Sequence, residues 1–138
     1  MLAVAGAVAI AVPAASASPP AATLGTSGCH VLRAPRSLGA TLLALHRAYM
    51  LRQPDVHDPQ ISGPVGTVHL GVCGTTRWAL ADFSARYNGV NFGVTDQPER
   101  FSQARGRSWV DLGNTGGDPC AAAPRALILD WKLATRCS

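Results

Sequence analysis

The spacing of hydrophobic positions changes character several times along this chain. In "RSLGATLLALHRAYMLR", Leu38, Leu42, Leu45 and Tyr49 recur at steps of four, three and four, which places them on one helical stripe with Arg47 pointing away. Ser37 behind Pro35 fits an N-cap, and Pro54 forbids continuation of the helix. In "GTVHLGVCG", Val68, Leu70 and Val72 alternate with His69 and Gly71, the period-two mark of a half-buried strand. The intervening "QPDVHDPQISGPVG" has three prolines and no period, so it reads as a loop.

A hairpin follows in "WALADFSARYNGVNFGVTD". Asn88-Gly89 is the preferred pair for a two-residue turn whose central residues both need positive φ. That turn sets Tyr87 opposite Val90, Ala85 opposite Phe92 and Phe83 opposite Val94, all on one face. The other face receives Asp82, Ser84 and Arg86 against Asn91, Gly93 and Thr95. Trp78 and Leu80 share the parity of that polar face, so something else must cover that end of the strand.

"DQPERF" carries an Asp-x-x-Glu capping pattern in Asp96 and Glu99, which predicts one short helical turn with Phe101 folded inward. "SWVDL", residues 108–112, reads as a strand with Trp109 on the core. "PRALILDWKLATRC" reads as a helix from Pro124 with Leu127, Ile128 and Trp131 inward. The expected fold is α+β: an antiparallel sheet of about four strands, with N-terminal and C-terminal helices packed on one face.

The ends of the chain change the picture more than its composition does. Residues 1–17 run "MLAVAGAVAIAVPAASA", an uncharged apolar stretch closing on an Ala-x-Ala site, which predicts an export signal. The apolar run falls well short of the ~20 residues that span a bilayer, so no membrane span is expected after cleavage. Residues 18–28 form a small-residue, Pro-containing lead-in, and residues 29–138 form one domain. Export makes the four cysteines a disulfide framework. Pairing neighbours along the chain gives Cys29–Cys73 and Cys120–Cys137 as the preferred connectivity of three. The formal charge is +4, and eleven of the twelve basic residues are arginines scattered along the chain. That excess draws polyanions such as a wall polymer without specifying one, and nothing indicates specific nucleic-acid recognition.

Chemistry is sparse. "DLGNTGGDPC" has the composition of a calcium loop, but counting from Asp111 puts Gly113, Thr115 and Ala122 where ligands belong, so it reads as turns. His30, His46, His57 and His69 show no His-x-x-x-His spacing. Asp55, His57 and Asp58 lie together in a Pro-bounded stretch that reads as a solvated loop. No cofactor or metal is expected, and no catalytic residue is assigned. A hydrolase would have to draw its acids from Asp82, Asp96 and Glu99, the last being the only glutamate.

The succession "WALADF", "DQPERF", "SWVDLGNTGG" and then Cys, Pro, Leu and Trp resembles small exported proteins of actinobacteria, over roughly residues 72–131. The resemblance implies export and a shared α+β fold, and no chemistry. The expectation is a secreted, non-catalytic module that binds an extracellular protein or cell-wall polymer through Asp82, Ser84, Arg86 and Asn91. The alternatives are a small wall-acting hydrolase and a secreted hydrolase or protease inhibitor. A concave pocket holding two carboxylates would favour an enzyme, and a flat polar sheet a binder.

Overall fold

The computed structural model describes residues 28–94 and 97–137. The export signal, most of the lead-in and Asp96 lie outside them. Among the described residues no helix is long and apolar enough to cross a membrane.

The elements run β1 (Cys29–Leu32), α1 (Arg36–Met50), β2 (Gln60–Cys73), β3 (Thr76–Tyr87), β4 (Val90–Val94), β5 (Glu99–Ala104), β6 (Val110–Asn114) and α2 (Arg125–Asp130). Single 3₁₀ turns at Pro119–Ala121 and Ala134–Arg136 flank α2. All strand pairs are antiparallel, in the order β1-β2-β3-β5-β6. β4 pairs the half of β3 that β5 leaves open, Ser84 to Tyr87 against Val90 to Val94.

The sheet thus has six strands where about four were expected, and the additions have clear causes. β2 begins at Gln60, inside the stretch read as a loop, because bulges between Ser62 and Val65 and between Val65 and His69 accommodate its Gly and Pro residues. β1 exists because Cys29 sits opposite Cys73 in the ladder and is bonded to it. β5 replaces the helical turn expected at Asp96 and Glu99. Glu99 and Phe101 lie two apart, so the extended chain turns both to the same face, and Phe101 is fully buried there. Burial of that ring outweighs a local capping pattern.

The hairpin turn forms as its chemistry requires, with φ of 53° at Asn88 and 75° at Gly89. Tyr87 opposes Val90, and Arg86 opposes Asn91. A bulge then shifts the pairing, so Ala85 meets Gly93 rather than Phe92, and Ser84 meets Val94. Val90, Phe92 and Val94 remain largely exposed, with Phe92 stacked on Tyr87 at 4.4 Å between ring centres.

The two helices cover opposite faces of the sheet, not one. α1 lies over Ile61, Leu70, Ala79, Ala81, Phe83, Ala85 and Phe101, burying Leu38 and Leu42 among them. The other parity of β3 contributes Leu80 and Trp78 to a separate cluster with Ala122, Leu127, Ile128, Trp131 and Leu133 from the C-terminal segment. α2 is therefore the cover that Trp78 and Leu80 required. Gly71 lets it approach, since a Cβ there would collide with the Leu127 side chain. Trp131 Nε1 donates to the Leu70 carbonyl at 3.3 Å. The Cys120–Cys137 bridge closes the segment around α2. Both disulfides join neighbouring cysteines along the chain, the preferred of the three connectivities, and no free cysteine is present among the described residues. Such bridges fit an oxidising compartment.

Candidate functional site: a buried histidine between two carboxylates

The stripe of α1 continues from Leu42 to His46, one turn on, and His46 is only 3% exposed. Its Nδ1 lies 3.2 Å from Asp111 Oδ2 on β6 and 3.8 Å from Glu99 Oε2 on β5. An ionised Asp111 can only accept, so the hydrogen bond requires the proton on Nδ1. The imidazole also stacks on Phe83, 4.9 Å between ring centres, and on Tyr49. Three elements distant in sequence thus converge on one ring.

Each carboxylate is held differently. Asp111 Oδ1 accepts the Gly113 N–H at 2.7 Å, which orients the other oxygen toward His46. Gly113 has φ of +82°, and a Cβ there would press on the Tyr49 hydroxyl, so the glycine allows both the turn and the close approach of α1. Glu99 Oε2 is sealed from solvent and has no hydrogen-bond partner among the described residues. Burial pushes the Glu99 carboxyl up to about 7. His46 opposes that shift, Asp111 adds to it, and Arg100 opposes it.

His46 and Glu99 line a cleft of about 350 Å³ at the C-terminal end of α1. Tyr49 and Tyr87 supply aromatic surface with the buried Phe83 behind them, while Gln53, Gln97 and Asn114 supply amides. Asp111 is absent from the lining, being 3% exposed at its side chain and placed behind the histidine. The wall carrying Asp55 and Val56 is fastened by the hairpin turn. Asn88 Nδ2 donates to the Asp55 carbonyl at 2.8 Å, and Asn88 Oδ1 accepts the His57 N–H at 2.6 Å. Asn88 N–H donates to the His57 carbonyl at 2.9 Å. The residue that makes the turn possible is also the clasp that shapes the cleft.

The residues singled out from sequence fall elsewhere. Ser84, Arg86 and Asn91 line one shallow groove of about 440 Å³ with Arg47, Gln60 and Ser62, on the sheet face that α2 leaves uncovered. Asp82 is half-buried and lies outside that lining. In "DLGNTGGDPC", Asn114 and Asp118 each accept a backbone N–H two residues on, so the stretch does form successive turns. Asp111 forms the same kind of turn with one oxygen and meets His46 with the other. His69 packs against Trp131 at 5.6 Å, and burial lowers its pKa. Arg77, Arg105 and Arg107, scattered in sequence, share a surface hollow between two hairpin ends.

His46 and Asp111 escaped sequence reasoning although signals existed for both. His46 lies four residues after Leu42, on the apolar stripe itself. Asp111 is two residues after Trp109, whose core-facing placement already turns Asp111 inward and its neighbours Val110 and Leu112 outward. In the fold those two are 53% and 38% exposed, and the aspartate turns inward. No known family model matches this chain, nor does any curated protein or solved structure.

Proposed function

We propose that the protein is an exported, disulfide-stapled binding domain for a cell-wall polymer, and that the cleft beside His46 receives a sugar unit of it. The observation carrying this reading is the lining: aromatic rings beside amides and the two acids Glu99 and Asp55, in a volume within the ~300–1,000 Å³ range of small-ligand sites. Aromatic faces pack on the C–H surfaces of a sugar, while amide and carboxylate groups take its hydroxyls. The arginine hollow and the +4 charge support attraction of an anionic polymer to the same molecule. The paired sulfurs support an oxidising, extracytoplasmic setting.

Hydrolysis is the second reading, favoured by one fact. One oxygen each of Glu99 and Asp111 lie within 4.8 Å of one another, close to the separation of ~5–5.5 Å used by retaining glycosidases. Two carboxylates flanking a substrate must both face it, however, and only Glu99 of this pair lines the cleft. The lining also includes Asp55, so the glycan titration, read for shortening as well as for shifts, decides between binding and cleavage.

The test is titration of the isotope-labelled, oxidised protein with soluble cell-wall glycan fragments. Amide shifts should concentrate at Tyr87, Gln97, Glu99 and Asn114, without shortening of the glycan. Shifts confined to Ser84, Arg86 and Asn91 would move the site to the outer groove. Absence of any shift would overturn the reading, and glycan shortening lost in Glu99→Gln would establish the hydrolase.

A further inference from the structure

We propose that His46, Glu99 and Asp111 bind one divalent cation of the zinc class. Their ligand atoms come from α1, β5 and β6, and one from each residue lies within 4.8 Å of the other two. His46 Nδ1 stands 3.2 Å from one carboxylate oxygen and 3.8 Å from the other. Ligands at the ~2.0–2.2 Å typical of zinc, arranged tetrahedrally, sit about 3.3–3.6 Å apart, so an ion fits with small side-chain adjustments.

Two independent features point the same way. Glu99 Oε2 is closed off from solvent without a hydrogen-bond partner among the described residues, an arrangement that a cation would satisfy. Asp111 is held by the Gly113 N–H through its other oxygen, the kind of outer contact that orients metal-ligating carboxylates. His46 and Glu99 border the cleft while Asp111 does not, so a fourth position on the ion faces the cleft and remains open to water or a ligand oxygen.

The donor set also selects the metal. One imidazole and two carboxylates, with no thiolate, suit Zn²⁺ or Mn²⁺. Three protein ligands including a nitrogen are too few, and the wrong kind, for a calcium cage of six to eight oxygens. The ion takes the Nδ1 position, and the neutral imidazole carries its proton on Nε2 instead. The other clustered set among the described residues, Asp118 with Cys120 and Cys137, has both sulfurs committed to a disulfide.

The inference does not rest on the wall-polymer reading, because it is measured with no glycan present. The oxidised protein, stripped with chelator, is dialysed against ZnCl₂ and analysed for metal, with the imidazole ¹⁵N resonances followed in parallel. About one Zn²⁺ per chain is expected, shifting the His46 ring signals while those of His30, His57 and His69 stay in place. Glu99→Gln should weaken binding by more than about tenfold, whereas Asp58→Asn should leave it unchanged. Should Glu99→Gln not fold, the ring resonances of the unaltered chain decide alone. Failure to bind stoichiometrically, a shift confined to another histidine, or an equal response to CaCl₂ would overturn the proposal.

Discussion

The two faces of the sheet are built on different terms. Beneath α2 the contacts are mainly apolar: Leu80, Leu127, Ile128, Trp131 and Leu133 close around Ala122, with His69 half-buried against Trp131, and a disulfide fastens the segment that carries them. Beneath α1 an equally tight cluster around Leu42 and Phe101 is interrupted, at its C-terminal end, by a buried histidine and two carboxylates. Burying such groups costs several kcal/mol unless each is paired, and hydrophobic residues of similar size would often serve stability as well or better. One face is held mainly by apolar packing. The other carries an expense that folding does not explain, and the cleft of His46 and Glu99 lies there.

That contrast can be broken first on the apolar side. Leu127→Ala should cost about 2–5 kcal/mol, measured by urea denaturation, because Leu127 is fully buried. The proposed glycan binding, measured at a temperature where the variant stays folded, should be unchanged. Replacing Cys120 and Cys137 together by Ser should cost roughly 3 kcal/mol, from the loop that the bridge closes across a separation of 17 residues. It too should leave binding intact. If either change abolished binding in a folded protein, the division between the faces would fail.

A smaller effect is expected at the clasp. Asn88→Gly keeps the positive φ of the turn but deletes the side-chain bonds to Asp55 and His57, and should cost roughly 1–2 kcal/mol. Binding should weaken with it, because the loosened loop forms one wall of the cleft. Retention of full affinity would show that this wall is not part of the site.

The smallest effect concerns His69 on the α2 side. Burial holds its pKa below the ordinary 6.5. The unfolded chain then binds a proton more readily than the folded one, so stability falls as pH drops through 6.5 and the loss is complete below the lowered folded value. His69→Gln should flatten the decline of the melting temperature between pH 7 and pH 5. An unchanged slope would assign that decline to other groups.

Local chemistry made part of this architecture legible from residues alone. The α1 stripe, the Asn88-Gly89 turn and the pairing of cysteines along the chain are set by interactions within short stretches, and they appear as expected. β1, β5 and the first half of β2 are set by partners far away. Cys29 is extended because Cys73 lies opposite, and Glu99 is extended because Phe101 must reach the core. The opposite placement of the helices was latent in Trp78 and Leu80, whose parity demanded a cover on the polar face. The site was hidden for the same reason as the distant strands. A lone histidine and a lone aspartate 65 residues apart acquire meaning only when β6 is laid beside β5 under α1.

The most direct test of the division between the faces is a paired measurement on Glu99→Gln, taking unfolding free energy and affinity for cell-wall glycan on the same preparation. Stability equal to or above that of the unaltered protein is expected, because a buried carboxyl has been removed, together with at least about tenfold weaker binding. A drop of several kcal/mol with binding retained would contradict that division and make His46, Glu99 and Asp111 a structural cluster.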